Sequence, residues 1–173
     1  MKNWKMIAAA SMLAVGAAFL YAQGGQGESL KGKPFPAFKM TDTKGKVHTN
    51  ASLKGKVLLV DFWATWCGPC KAASPTMQKL HEKYAKDGLV VIGANTYEQP
   101  KDRATAAAKY QKDHKYTYTF TKENDKLASQ LGARGIPFFV FVDRQGVVRE
   151  VATGYGGGSA EQFEKTIQSL LKK

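Results

Sequence analysis

The sequence predicts an α/β domain built on a mixed sheet with helices on both faces. Three observations carry this. Val57–Trp63, Leu89–Asn95 and Phe138–Val142 are apolar runs of strand length. Helical stretches fall between them, the alternation that builds a parallel sheet. A turn at Asp143-Arg144-Gln145-Gly146 then sends the chain back, adding an antiparallel strand at one side.

The elements follow in order. Residues 36–42 alternate weakly, Thr43-Lys44-Gly45-Lys46 turns, and Val47-His48-Thr49 returns as an extra N-terminal hairpin. Val57–Trp63 is apolar except for Asp61, as in a strand covered on both faces. A helix follows from Pro69 to about residue 86. Proline suits a first turn, where its missing N–H is not needed. Met77, Leu80 and Tyr84 share one face, Pro75 is expected to kink the helix, and Asp87-Gly88 ends it. After the buried strand Leu89–Asn95, residues 101–112 predict a helix, 116–120 a strand and 125–131 a short helix. Ile136-Pro137 opens the third apolar strand. Ser159, with Gln162 three residues on, predicts a capping box for a last helix that reaches Leu171.

At 173 residues, 43% hydrophobic and 23% charged, the chain can bury one ordinary core, and disorder is a poor description of it. Lys2 and Lys5 precede an uncharged stretch at 6–22, which reads as a secretory signal or, uncleaved, as an anchor. The glycine-rich stretch that follows makes 23–32 a flexible spacer and 33–173 the folded domain. The net charge of +12 is spread over scattered lysines with no nucleic-acid module, so it predicts a solvated basic surface and no nucleic-acid partner.

Only two cysteines occur, three residues apart. A bond between them closes almost no loop and restricts the unfolded chain little, so the pair calls for a chemical explanation. Val60-Asp61-Phe62-Trp63-Ala64-Thr65-Trp66-Cys67-Gly68-Pro69-Cys70-Lys71 resembles the active-site segment of thioredoxin. Arg134-Gly135-Ile136-Pro137 ahead of an apolar strand resembles its cis-proline segment, and Gly154 before the last helix also fits. The longer N-terminus and its hairpin are similar to the exported TlpA/ResA branch of that superfamily, and the resemblance spans roughly residues 33–171. One departure stands out. That branch often places a glutamate shortly after the second cysteine, where this chain has Lys71, Ala72, Ala73 and Ser74.

The resemblance implies the thioredoxin fold and thiol–disulfide exchange with no cofactor beyond a redox-active Cys67–Cys70 disulfide. Cys67, where a loop enters a helix, would be the exposed, attacking thiolate, because a helix N-terminus favours negative sulfur. Cys70 would resolve the mixed disulfide. Asp61, desolvated among apolar neighbours, would have a raised pKa and accept the Cys70 proton. Trp66, Gly68, Pro69, Ile136 and a cis Pro137 would receive the substrate, with Gly135 and Gly154 allowing close backbone approach. Trp63 reads as a core aromatic. Gly68-Pro69 between the cysteines is similar to reducing thioredoxins. A reductase working outside the cytoplasm, in a periplasm for example, would draw electrons from a membrane thiol–disulfide transporter and pass them to protein disulfides.

A thiol oxidase of the same fold and a copper-binding chaperone are the alternatives, though the chaperones usually have wider cysteine spacing and a dedicated histidine. A zinc site lacks ligands, since His48, His81 and His114 are scattered. A peroxidase would have threonine where Ala64 stands.

Overall fold

The computed structural model describes residues 27–172. Its elements run β1 (Lys39–Thr41), β2 (Val47–Thr49), β3 (Val57–Trp63), α1 (Gly68–Tyr84), β4 (Leu89–Asn95), α2 (Ala106–Asp113), β5 (Thr119–Thr121), α3 (Asp125–Gln130), β6 (Phe138–Val142), β7 (Val148–Thr153) and α4 (Ser159–Leu171). The expected signal or anchor at 1–22 lies outside the described residues.

β3 is central in a five-stranded sheet of order β5-β4-β3-β6-β7. β4 runs parallel to it with Gly93 opposite Asp61, and β6 antiparallel with Phe139 opposite Asp61. β5 extends the parallel side and β7 the antiparallel side. This is the mixed, thioredoxin-like architecture that the sequence predicts. Strand alternation sends Val57, Leu59, Asp61 and Trp63 to one face and Leu58, Val60 and Phe62 to the other. The first face is covered by α1, α2 and α4, through Met77, Leu80, Tyr110, Phe163 and Ile167. The second is covered by α3 and the N-terminal segment, through Leu127, Leu131, Phe35 and Phe38. Full burial of one such side chain contributes about 1.5–3 kcal/mol. A run that is apolar on both faces is therefore driven to the middle of the sheet. The β1–β2 hairpin bonds to β5, where Thr43 N–H donates to the Phe120 carbonyl at 3.0 Å, so the outermost parallel strand is not a free edge.

Several local expectations give way to specific bonds. Residues 101–105 form turns rather than helix, with i→i−3 bonds from Asp102 N–H to the Gln99 carbonyl and from Thr105 N–H to the Asp102 carbonyl. The strand expected at 116–120 shrinks to Thr119–Thr121, since Thr117 N–H bonds the Gln78 side chain instead of a neighbouring strand. The capping box at Ser159 does not form. Gly158, with φ 82°, is the N-cap of α4, and Ser159 Oγ accepts from Gly156 N–H at 3.1 Å, back toward the loop. Pro75 sits within α1, which runs unbroken through it.

From Gly27 onward the expected spacer is bound to β7. Gly32 N–H donates to the Val148 carbonyl at 2.8 Å, and Lys31 pairs with Glu150 at 2.7 Å. Gly27 needs its lack of a side chain twice over: its φ is 87°, and a Cβ there would lie 2.5 Å from Val151 Cγ1.

Candidate active site

β3 ends at Trp63, and Ala64-Thr65-Trp66 leads into α1. Cys67 is the N-cap of α1, with extended backbone at φ −85° and ψ 107°. Pro69 occupies the first turn, where no N–H is required. Cys67 and Cys70 are joined in a disulfide, their Cα atoms 5.3 Å apart. The Cys70 N–H donates to Cys67 Sγ at 3.2 Å, so one of the unpaired amides of the helix N-terminus points at this sulfur. That contact, with the positive end of the helix dipole, would favour a thiolate on Cys67 once the disulfide opens.

Cys67 is not the openly exposed sulfur that the sequence predicts. It is 4% exposed and Cys70 is fully buried. Cys67 Sγ is tied to an interior residue and lies 3.7 Å from the Ile136 carbonyl, so only a sliver reaches solvent. The order of access is still Cys67 before Cys70. The Ile136–Pro137 peptide is cis. Pro137 is buried and Ile136 half-buried beside the pair. Gly68 and Pro69 are exposed, as is Trp66 at 54%, while Trp63 sits in the core. Gly135 and Gly154 do not serve close approach, since a Cβ at either would meet nothing within 4 Å. Gly154 is needed instead for its φ of 79°, and its N–H donates to the Pro137 carbonyl at 2.8 Å.

Asp61 lies on the α1 face of β3, the face that also buries Cys70. It is 1% exposed, and neither carboxylate oxygen has a hydrogen-bond partner among the described residues. Burial alone pushes its carboxyl well above the usual carboxylate range. Burial also raises the hydroxyls of Tyr110 and Tyr118, and the nearby Asp61 charge adds to both shifts. After Cys70, Lys71 and Ala72 point to solvent, and Ser74 Oγ donates to the Cys70 carbonyl at 3.2 Å.

Sequence reasoning missed three residues: Thr65, Tyr97 and Glu98. The Trp66 indole N–H donates to the Tyr97 carbonyl at 2.9 Å, and Glu98 accepts from both the N–H and the hydroxyl of Thr65. One signal was available. Tyr97 and Glu98 follow the carboxyl end of a buried parallel strand, where α/β sheets place their sites.

With this geometry in view, known proteins are informative. Residues 30–167 match the redoxin family profile. The chain belongs to the redoxin family. It is similar to the thiol:disulfide interchange protein DsbE of Pseudomonas fluorescens biotype C, with 35% identity over 89% of this chain and 86% of that one. It is also similar to the thiol-disulfide oxidoreductase ResA of Bacillus thuringiensis (strain Al Hakam), with 32% identity over 82% of this chain and 77% of that one. A crystal structure of a thiol:disulfide interchange protein, a thioredoxin family protein from Chlorobium tepidum TLS, superposes with a TM-score of 0.69 and 29% identity. That match covers 80% of this chain and 95% of the other.

Proposed function

We propose that this chain, a thiol–disulfide oxidoreductase by family and by its Cys67–Cys70 disulfide, reduces protein disulfides outside the cytoplasm. The observation that carries the reading is the placement of the pair. Cys67 caps α1, receives the Cys70 N–H, and borders the Ile136 carbonyl.

In the reduced protein the Cys67 thiolate attacks a substrate disulfide. A Cys67–substrate bond forms, and one substrate sulfur leaves as thiolate. The Cys70 thiol passes its proton to Asp61 and attacks Cys67 Sγ. The internal disulfide closes, and the second substrate sulfur departs, so the substrate gains two electrons. The half-buried Ile136 backbone beside Pro137 offers a strand-like edge to the substrate chain, and exposed Trp66, Gly68 and Pro69 form the apolar rim. Surroundings that oxidise thiols would not restore the dithiol, so a membrane thiol–disulfide transporter is the electron donor in this reading. The basic start and apolar stretch of residues 1–22 support export or anchoring, with the domain that begins at Gly27 as the working part.

The test is the equilibrium potential of the pair against glutathione or dithiothreitol. A reductase should fall near the roughly −270 mV of thioredoxin. A value near the roughly −120 mV of a strong disulfide-forming catalyst would reassign the chain as a thiol oxidase.

A further inference from the structure

The loop after β4 contains contacts that disulfide exchange itself does not use. Tyr97 has φ 56°, in the left-handed region that a bulky residue enters at a cost. Several contacts hold it there. Its N–H donates to Asp125 Oδ1 at 2.7 Å, and its hydroxyl donates to the Ala133 carbonyl at 3.1 Å and lies 3.4 Å from Ser129 Oγ. Arg103 pairs with the same Asp125 at 3.1 Å. The Tyr97 carbonyl accepts the Trp66 indole N–H, and the next residue, Glu98, reaches under the redox loop. Glu98 is 4% exposed. Its Oε1 accepts from Thr65 N–H at 2.5 Å and from Asn95 Nδ2 at 2.8 Å, and its Oε2 accepts from Thr65 Oγ1 at 2.9 Å. One loop therefore grips both walls of the site. Thr65 and Trp66 immediately precede Cys67, and Ala133 stands three residues before Ile136.

We infer that this loop is a clasp, in which Glu98 is a positioning residue that holds Thr65 and Trp66 in the conformation that docks a protein disulfide. The inference rests on the reading that Cys67 attacks bound disulfides. A carboxylate suits the task because all three groups that meet it are donors. Glutamine can keep the two bonds at Oε1 and donate its amide to the Thr65 hydroxyl, whereas alanine keeps none. The clasp acts on docking more than on sulfur chemistry, because Cys67 Sγ has its own hold on α1 through the Cys70 N–H.

The test uses the full chain, with dithiothreitol as reductant and two substrates: insulin, which must dock, and hydroxyethyl disulfide, which barely does. For Glu98→Ala, kcat/KM toward insulin should fall at least ten-fold, mostly through KM, and toward the small disulfide no more than three-fold. Hydrogen exchange at the Trp66 indole N–H, followed by NMR, should accelerate at least ten-fold. Glu98→Gln should recover a third or more of the unaltered insulin activity. Thr65→Val, which removes one hydroxyl, should lose about three-fold on insulin, and it decides the matter if Glu98→Ala does not fold. Equal losses on both substrates, or an unmoved indole exchange rate, would overturn the clasp. Failure of the unaltered chain to reduce either disulfide would instead sink the oxidoreductase reading, and the clasp's role with it.

Discussion

Two acids lie buried close to the redox loop, in opposite surroundings. Asp61, in the middle of β3, meets no donor on either oxygen among the described residues. Glu98, in the loop after β4, meets three. Burial is nearly equal, at 1% and 4% exposed, so burial alone does not say what an acid is for. An unsatisfied buried carboxyl costs free energy that the fold recovers elsewhere, and such a group is a candidate for chemistry. A satisfied one holds its donors in place. That contrast is why the proposed mechanism makes Asp61 the proton acceptor, and why Glu98 is proposed as a grip on the loop that precedes Cys67.

The strongest test of this contrast is kinetic. Asp61→Asn should slow release of the mixed disulfide by about 100-fold, the low end of what a positioned base contributes, and slow its formation by less than three-fold. Single-turnover trapping of the intermediate separates the steps. Glu98→Gln should leave their ratio unmoved. If Asp61→Asn slows both steps equally, Asp61 is not the base and the contrast fails.

Stability against pH sharpens it. The folded-state pKa of Asp61 is raised, so the folded chain keeps a proton that the unfolded chain has already lost above about pH 4. Between that pH and the raised folded value the unfolded state binds fewer protons, and stability falls as pH rises. Asp61→Asn should remove this decline and leave the oxidised chain more stable than the parent at pH 8, because the amide has no charge to bury. Denaturant titrations at pH 5 and pH 8 measure it. A variant less stable than the parent at pH 8 would mean that Asp61 has partners the geometry does not reveal.

Much of this was legible in the chain itself. The three apolar runs became β3, β4 and β6, because a strand buried on both faces needs continuous apolar sequence. The Cys67–Cys70 pairing and the burial of Asp61 were legible for a related reason: thiols at helix-entry spacing and an acid inside an apolar run are conspicuous. Features that depend on distant backbone were not. Nothing near Cys67 says that it would be shielded beside Ile136, 69 residues later. The Ser159 expectation failed locally instead, because its oxygen serves the amide of Gly156, three residues earlier, rather than one inside the helix. Glu98 escaped notice because it looks like any loop acid until Thr65, 33 residues earlier, is brought against it.

The smallest effect tests the walls around Asp61. Gly93 is its partner across the β3–β4 ladder. A Cβ there would lie 3.2 Å from both Trp63 Nε1 and Tyr118 Cε2 and 3.4 Å from Phe120 Cδ1, closer than comfortable contact. The Trp63 indole N–H is itself buried without a partner among the described residues, so ring edges crowd Gly93 here. Gly93→Ala should cost about 1 kcal/mol of overpacking, lowering the melting temperature by roughly 2–4 °C. Calorimetry of the oxidised chain reads it directly. A rise in melting temperature would reveal slack beside Asp61, enough for its carboxyl to turn toward a partner, and the distinction from Glu98 would narrow from the Asp61 side.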